Sequence, residues 1–164
     1  MATERRSRRA VLTTLGVTTI ASLAGCSGAD IGNEPEYEAG EIGEIDGESR
    51  TPVEMSAAAD AAEVESTDGV TPLDSVELVD HEFVFEDGYL GSTVQGVVEN
   101  DGADRVQLAE VRVRIYNENG SQIGQYFDTT GDLSGGDSWS FLVILLKPPA
   151  DIADYDIAVL GTPA

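Results

Sequence analysis

Leu108-Ala109-Glu110-Val111-Arg112-Val113-Arg114-Ile115-Tyr116 is the stretch whose reading decides the fold. Ala109, Val111, Val113 and Ile115 alternate with Glu110, Arg112, Arg114 and Tyr116. In an extended chain every second side chain points to the same face. One apolar and one charged face predict a strand of an antiparallel sheet, packed on one side and wet on the other.

On its C-terminal side, Asn117-Glu118-Asn119-Gly120 predicts a tight turn, with Gly120 free to take a positive φ. The chain returns as a strand over about Gln122–Asp128. A loop containing Gly131, Gly135 and Gly136 then leads to a strand over about Trp139–Leu145. Pro148-Pro149 blocks continued pairing, and a last strand covers about Tyr155–Leu160. On the N-terminal side, strands are predicted over about Val76–Glu86, where Phe83 and Phe85 share a face, and Gly91–Asn100, which Asn100-Asp101-Gly102 ends as a turn. Short strands at a spacing of about ten residues predict an all-β domain. The expected architecture is an immunoglobulin-like two-sheet antiparallel β-sandwich of about six to seven strands over residues 76–164. The chain has one cysteine, so this sandwich must hold without the disulfide common in such folds.

Gly96-Val97-Val98-Glu99-Asn100-Asp101-Gly102-Ala103-Asp104, Val111-Arg112-Val113-Arg114-Ile115-Tyr116-Asn117, and Gly131-Asp132-Leu133-Ser134-Gly135-Gly136-Asp137 before Trp139 and Phe141 together resemble the FxLYD domain family. Its naming motif falls on Val113–Asn117, with valine, isoleucine and asparagine replacing Phe, Leu and Asp, and the tyrosine kept. The resemblance covers roughly residues 76–162. It implies a β-domain of the kind found in haloarchaeal surface lipoproteins and transfers no catalytic residue.

Residues 1–25 read as a twin-arginine lipoprotein signal peptide. Arg5, Arg6, Arg8 and Arg9 form a basic start, and Arg8-Arg9 supplies the twin-arginine pair. The apolar run that follows, diluted by threonines and glycine, suits a signal segment better than a membrane span, which needs about 20 apolar residues. It ends at Leu23-Ala24-Gly25-Cys26, a lipobox whose cysteine becomes the lipidated N-terminus. The expected location is therefore the extracellular face of the cell membrane, with Cys26 as the lipid anchor.

Residues 26–75 are expected to be the anchor cysteine followed by a disordered acidic spacer. From Ser27 to Ser75 there are 14 acidic residues against one base, Arg50, and low hydrophobicity with high charge does not offset the entropy of ordering. Such a coil spans about 40 Å or more. Alanines within Pro52–Glu65 predict a transient helix without an apolar face to dock.

The whole chain carries a formal charge of −22. Without residues 1–25, 5 basic side chains face 30 acidic ones. That balance excludes nucleic acid as a partner, because phosphate neutralisation needs arginine and lysine. It suits a halophilic setting, since at ~1 M salt the Debye length falls to about 3 Å and self-repulsion is screened.

Among candidate sites, His81 is the sole histidine and is expected at the surface. Trp139 and Phe141 alternate with serines and are expected in the core. Asp128, Asp132 and Asp137 surround a glycine loop where oxygen ligands for calcium would gather, but their spacing fits no EF-hand and no metal site is assigned. Asn119-Gly120-Ser121 is an N-glycosylation sequon on a turn. No nucleophile triad, phosphate loop or dinucleotide motif is present, so neither an enzyme nor a cofactor is expected. The function expected is a non-enzymatic, lipid-anchored surface protein presenting a binding or structural module, with the membrane and an envelope protein as partners. The alternative is a solute- or calcium-binding lipoprotein serving a transporter or sensor.

Overall fold

In the computed structural model, which describes residues 34–164, the stretch read first becomes a central strand of a four-stranded sheet. The chain runs through β1 (Glu38–Gly40), α1 (Pro52–Ala61), β2 (Val76–Glu86), β3 (Gly91–Asn100), β4 (Val106–Tyr116), β5 (Gln122–Leu133), β6 (Ser138–Ile144) and β7 (Asp154–Pro163). One sheet has the order β1-β7-β4-β5 and the other β2-β3-β6. All pairs are antiparallel, so the two-sheet sandwich expected from the alternation is present, with seven strands. The signal-peptide residues Arg8 and Arg9, the lipobox Leu23-Ala24-Gly25 and Cys26 lie outside the described residues.

The core lies between the sheets. Ala109, Val111, Val113 and Ile115 are fully buried, facing Val94, Val98, Phe141 and Val143 from the other sheet. Each of the valines and the isoleucine contributes roughly 1.5–3 kcal/mol by leaving water. Half-buried Trp139 packs beside Phe141 at the core margin, their ring centroids 6.0 Å apart. Gly96 is required here, because a Cβ on it would strike the Asp80 carbonyl and the Phe141 ring. A bulge between Leu78 and Asp80 shifts the β2–β3 register. Consequently Leu78 and His81 both face inward, a change of phase that simple alternation does not foresee. Asn100 pins the lower turns: its side-chain amide donates to the carbonyls of Asp104 and Leu133, and its amide oxygen accepts from the Gly102 N–H.

The two open sides of the sandwich are closed differently. Between β5 and β6 the inward-pointing Asp128 accepts the Leu142 N–H at 2.9 Å and the Thr129 N–H at 2.8 Å. An inward charge of this kind also guards the edge of a sheet against foreign strands. The other side is closed by the segment expected to be spacer, and here the sequence expectation is corrected. From residue 34 onward the acidic stretch is folded against the sandwich, so the fold takes in chain well before residue 76. β1 pairs with β7 through Glu38–Ile157 and Gly40–Tyr155. Gly40 lies flat on the Tyr155 ring and Gly47 on the Phe85 ring, at distances that leave no room for a Cβ. Ile42 packs against the core margin. Arg50 then donates to the carbonyls of Tyr89, Leu90 and Leu145, joining the β2–β3 turn to the end of β6.

The helix that follows opens on a capping box, in which the Thr51 hydroxyl accepts the Glu54 N–H and the Glu54 carboxylate accepts the Thr51 N–H. It has no broad apolar face, as expected, yet Ala58 is fully buried. On the way back to β2, Thr71 pairs with Gly161, covering more of the β7 edge. Composition misled because it averages over side chains. This segment is held by backbone pairing, by glycines that let it lie flat, and by one guanidinium.

Arg50→Ala should therefore lower the unfolding free energy by about 2–4 kcal/mol, since several carbonyls lose a charged donor. Arg50→Lys should recover only part of that, lacking the planar fork. Chemical denaturation followed at Trp139 checks both, and an unchanged midpoint for Arg50→Ala would reject the clamp.

Candidate functional site

The outward face of the four-stranded sheet concentrates the polar chemistry of the domain. Glu110, Arg112, Arg114 and Tyr116 all point there from β4. Cross-strand pairing sets Phe127 beside Arg112, and Asp156 beside Arg114. Arg114 forms a two-pronged ion pair with Asp156, through Nε to Oδ1 at 2.8 Å and Nη2 to Oδ2 at 2.5 Å. Tyr116 donates its hydroxyl to the same carboxylate at 3.0 Å. The Tyr37 ring, brought in just ahead of β1, lies over the Arg114 guanidinium at 3.4 Å from its centroid, a cation–π contact.

One strand position away, Glu110 is fully buried. Its carboxylate accepts Arg112 Nε at 2.5 Å and the Thr67 N–H at 2.6 Å, and Thr67 comes from the returning segment after α1. A buried carboxylate without such partners would be strongly destabilising. Sequence reading placed Glu110 on the wet face, correctly for the strand. The cover over it comes from Thr67, in a segment whose acidic composition carries no sign that it folds.

Asp156 holds Arg114 and favours its charged state, so the guanidinium pKa is raised, despite some desolvation. Burial and the neighbouring Asp156 push the Tyr116 hydroxyl up as well. An open groove of about 570 Å³ is bounded by Glu34, Pro35, Tyr37, Arg112 and Arg114. Two of the five bases outside residues 1–25 thus share one groove wall with an aromatic ring.

No family model matches the chain. An uncharacterized protein of Methanocaldococcus jannaschii is 31% identical over 86 residues, which is 51% of this chain and 63% of that protein. The chain therefore spans less than two thirds of the relative it matches. Among solved structures, a DUF1425 family member from Shewanella sp. pv-4 aligns at a TM-score of 0.40 and 15% identity, over 58% of this chain and 92% of that one. A likeness that slight carries no argument.

The remaining sequence candidates separate in space. Asp128 is engaged between β5 and β6, Asp132 pairs with Arg105, and the Asp137 backbone carbonyl accepts the Asn100 N–H. Burial raises the Asp128 pKa, with its two backbone donors opposing. Among the described residues no three His, Cys, Asp or Glu side chains converge to hold a metal. Asn119 is exposed at the β4–β5 turn, where Gly120 has φ 73° and the Asn117 side-chain oxygen accepts the N–H groups of Asn119 and Ser121.

His81 is not a free surface side chain as expected. The bulge turns it inward, and its Nδ1 lies 2.8 Å from the Tyr155 hydroxyl, joining the two sheets. Burial pushes that hydroxyl up to about 12, with the carboxylates of Glu82 and Asp80 adding to the shift. A group whose pKa rises on folding contributes stability that is complete below its unfolded value and is lost as pH climbs through the folded one. The stability advantage of the native chain over Tyr155→Phe should accordingly shrink between about pH 10 and 12. Paired urea titrations across that range check this, and a difference independent of pH would reject it. Tyr116 and Tyr126 titrate in both proteins and cancel.

Proposed function

We propose that the protein is a non-enzymatic, lipid-anchored module of the extracellular membrane face, held there through Cys26 and binding through the outward face of its four-stranded sheet. The observation that carries the binding part is the groove wall of Arg112, Arg114 and Tyr37 in a domain otherwise dominated by carboxylates. The anchoring part is supported by the sequence alone, through Arg8-Arg9 and Leu23-Ala24-Gly25-Cys26. Among the described residues no helix is long and apolar enough to cross a membrane.

Membership of the FxLYD family belongs to the same proposal. The residues of its naming motif lie at the end of β4, with Val113 and Ile115 in the core and Arg114 and Tyr116 on the groove side, gathered around Asp156. Asn119 is proposed as a glycan acceptor, because it heads an Asn-Gly-Ser sequon on an exposed turn. The charge imbalance supports work in concentrated salt. Stability should fall as NaCl is lowered from molar to ~0.1 M, where the Debye length grows to about 10 Å and the carboxylates repel one another over a longer range.

Cys26→Ser should move the protein from the membrane fraction to the soluble fraction, and retention in the membrane would reject the lipid anchor. Crosslinking on intact cells in molar salt should then capture a small, repeatable set of envelope proteins. A catch that changes at random between repeats would reject a protein partner.

A further inference from the structure

We infer that the groove between Tyr37 and β4 is a carboxylate-binding site, in which terminal nitrogens of Arg112 and Arg114 hold one planar carboxylate group. This deepens the binding-module reading and rests on it. Each guanidinium is already fixed from behind. Glu110 takes Arg112 through Nε alone, and among the described residues the two terminal nitrogens of Arg112 have no hydrogen-bond partner. Asp156 takes Nε and Nη2 of Arg114, which leaves Nη1. The Arg112 and Arg114 side chains are 20% and 29% exposed, so donors are presented from a partly dehydrated wall. Alternate positions on one strand lie about 7 Å apart, and both side chains line the same groove, so one small anion seated there is within reach of both forks. Guanidinium donors match the two oxygens of a carboxylate in direction.

Glu110 and Asp156 cancel most of the local charge, so the ligand would be held by directed hydrogen bonds rather than by the long-range field. That is the kind of attraction that survives a Debye length of about 3 Å. Glu34 on the rim adds a repelling carboxylate, which favours a ligand with one acidic group over a polyanion. The carboxylate would come from a sugar acid or from an acidic amino acid.

The test is an NMR titration of the arginine side-chain N–H resonances in the full chain carrying Cys26→Ser, at constant molar NaCl. The probes are sodium glucuronate, sodium N-acetylaspartate and sodium sulfate. Saturating shifts of Arg112 and Arg114 with either carboxylate support the site, and the tighter of the two identifies the source. Arg112→Lys should weaken that binding about tenfold, the loss of one charged hydrogen bond. Tyr37→Ala, which lies outside the sheets, should weaken it too, and it carries the test should the lysine variant not fold. Shifts that stay linear, or sulfate binding as tightly as both carboxylates, would overturn the proposal. Repeatable envelope crosslinks without saturation would remove this site and leave the binding module standing. Saturation with random crosslinks would keep the site and remove the protein partner.

Discussion

Two small sheets laid face to face leave two open sides, and the stability of this sandwich depends on how those sides are closed. With one cysteine in the chain, no disulfide is available to bridge the sheets. The β5–β6 side uses a single carboxylate, Asp128, to take a backbone N–H across the gap. The β7–β2 side uses a length of chain, from Tyr37 to Arg50, that pairs, lies flat and is then clamped. Both devices use polar atoms, and both leave the apolar interior to the valines and isoleucine of β4 and the residues facing them. A domain this rich in acids thereby gains rigidity at its margins from polar contacts added to a few apolar ones, Ile42 and the Tyr155 and Phe85 rings under the strap.

The strands were legible because their signal is local. β2 and β3 begin and end where the alternation and the turns place them. β5 and β7 run on for several residues beyond the expected ends, because a partner strand is present there and pairing outlasts the hydrophobic pattern. The strap was not legible for the converse reason. Gly40, Gly47 and Arg50 carry almost no information alone, and their role exists only against Tyr155, Phe85 and the Leu145 carbonyl. His81 illustrates the same limit on a smaller scale. One bulged residue before it reverses the face that alternation assigns, and nothing in the local sequence marks the bulge.

The groove was half legible. The arginines and Tyr116 were assigned to the wet face of their strand from the alternation. Alternation carries no sign of the second wall, since Tyr37 arrives from more than 70 residues before Arg114 in sequence. The ion pairs themselves follow from register: Arg114 stands opposite Asp156, and Arg112 two positions from Glu110 on the same strand. Partly buried pairs of this kind cost desolvation and return mainly orientation. The sheet thus sets two acids, Glu110 on β4 and Asp156 on β7, to aim two bases, and the aimed bases sit where the strap begins.

The strap also has a mechanical meaning. Among the described residues it is the part met first from the N-terminal side, and β1 contributes just three residues of pairing. Tension applied from that end would strip β1 and the flat glycine segment before reaching the Arg50 clamp. The thirteen residues from Tyr37 to Ser49, drawn out at about 3.4 Å each, would span roughly 40 Å, and the part of that span not already used in the fold would be released. The other six strands, paired among themselves, would stay closed. The domain therefore carries a short reserve of length that yields before its core does, and the same pull would lift Tyr37 away from Arg114.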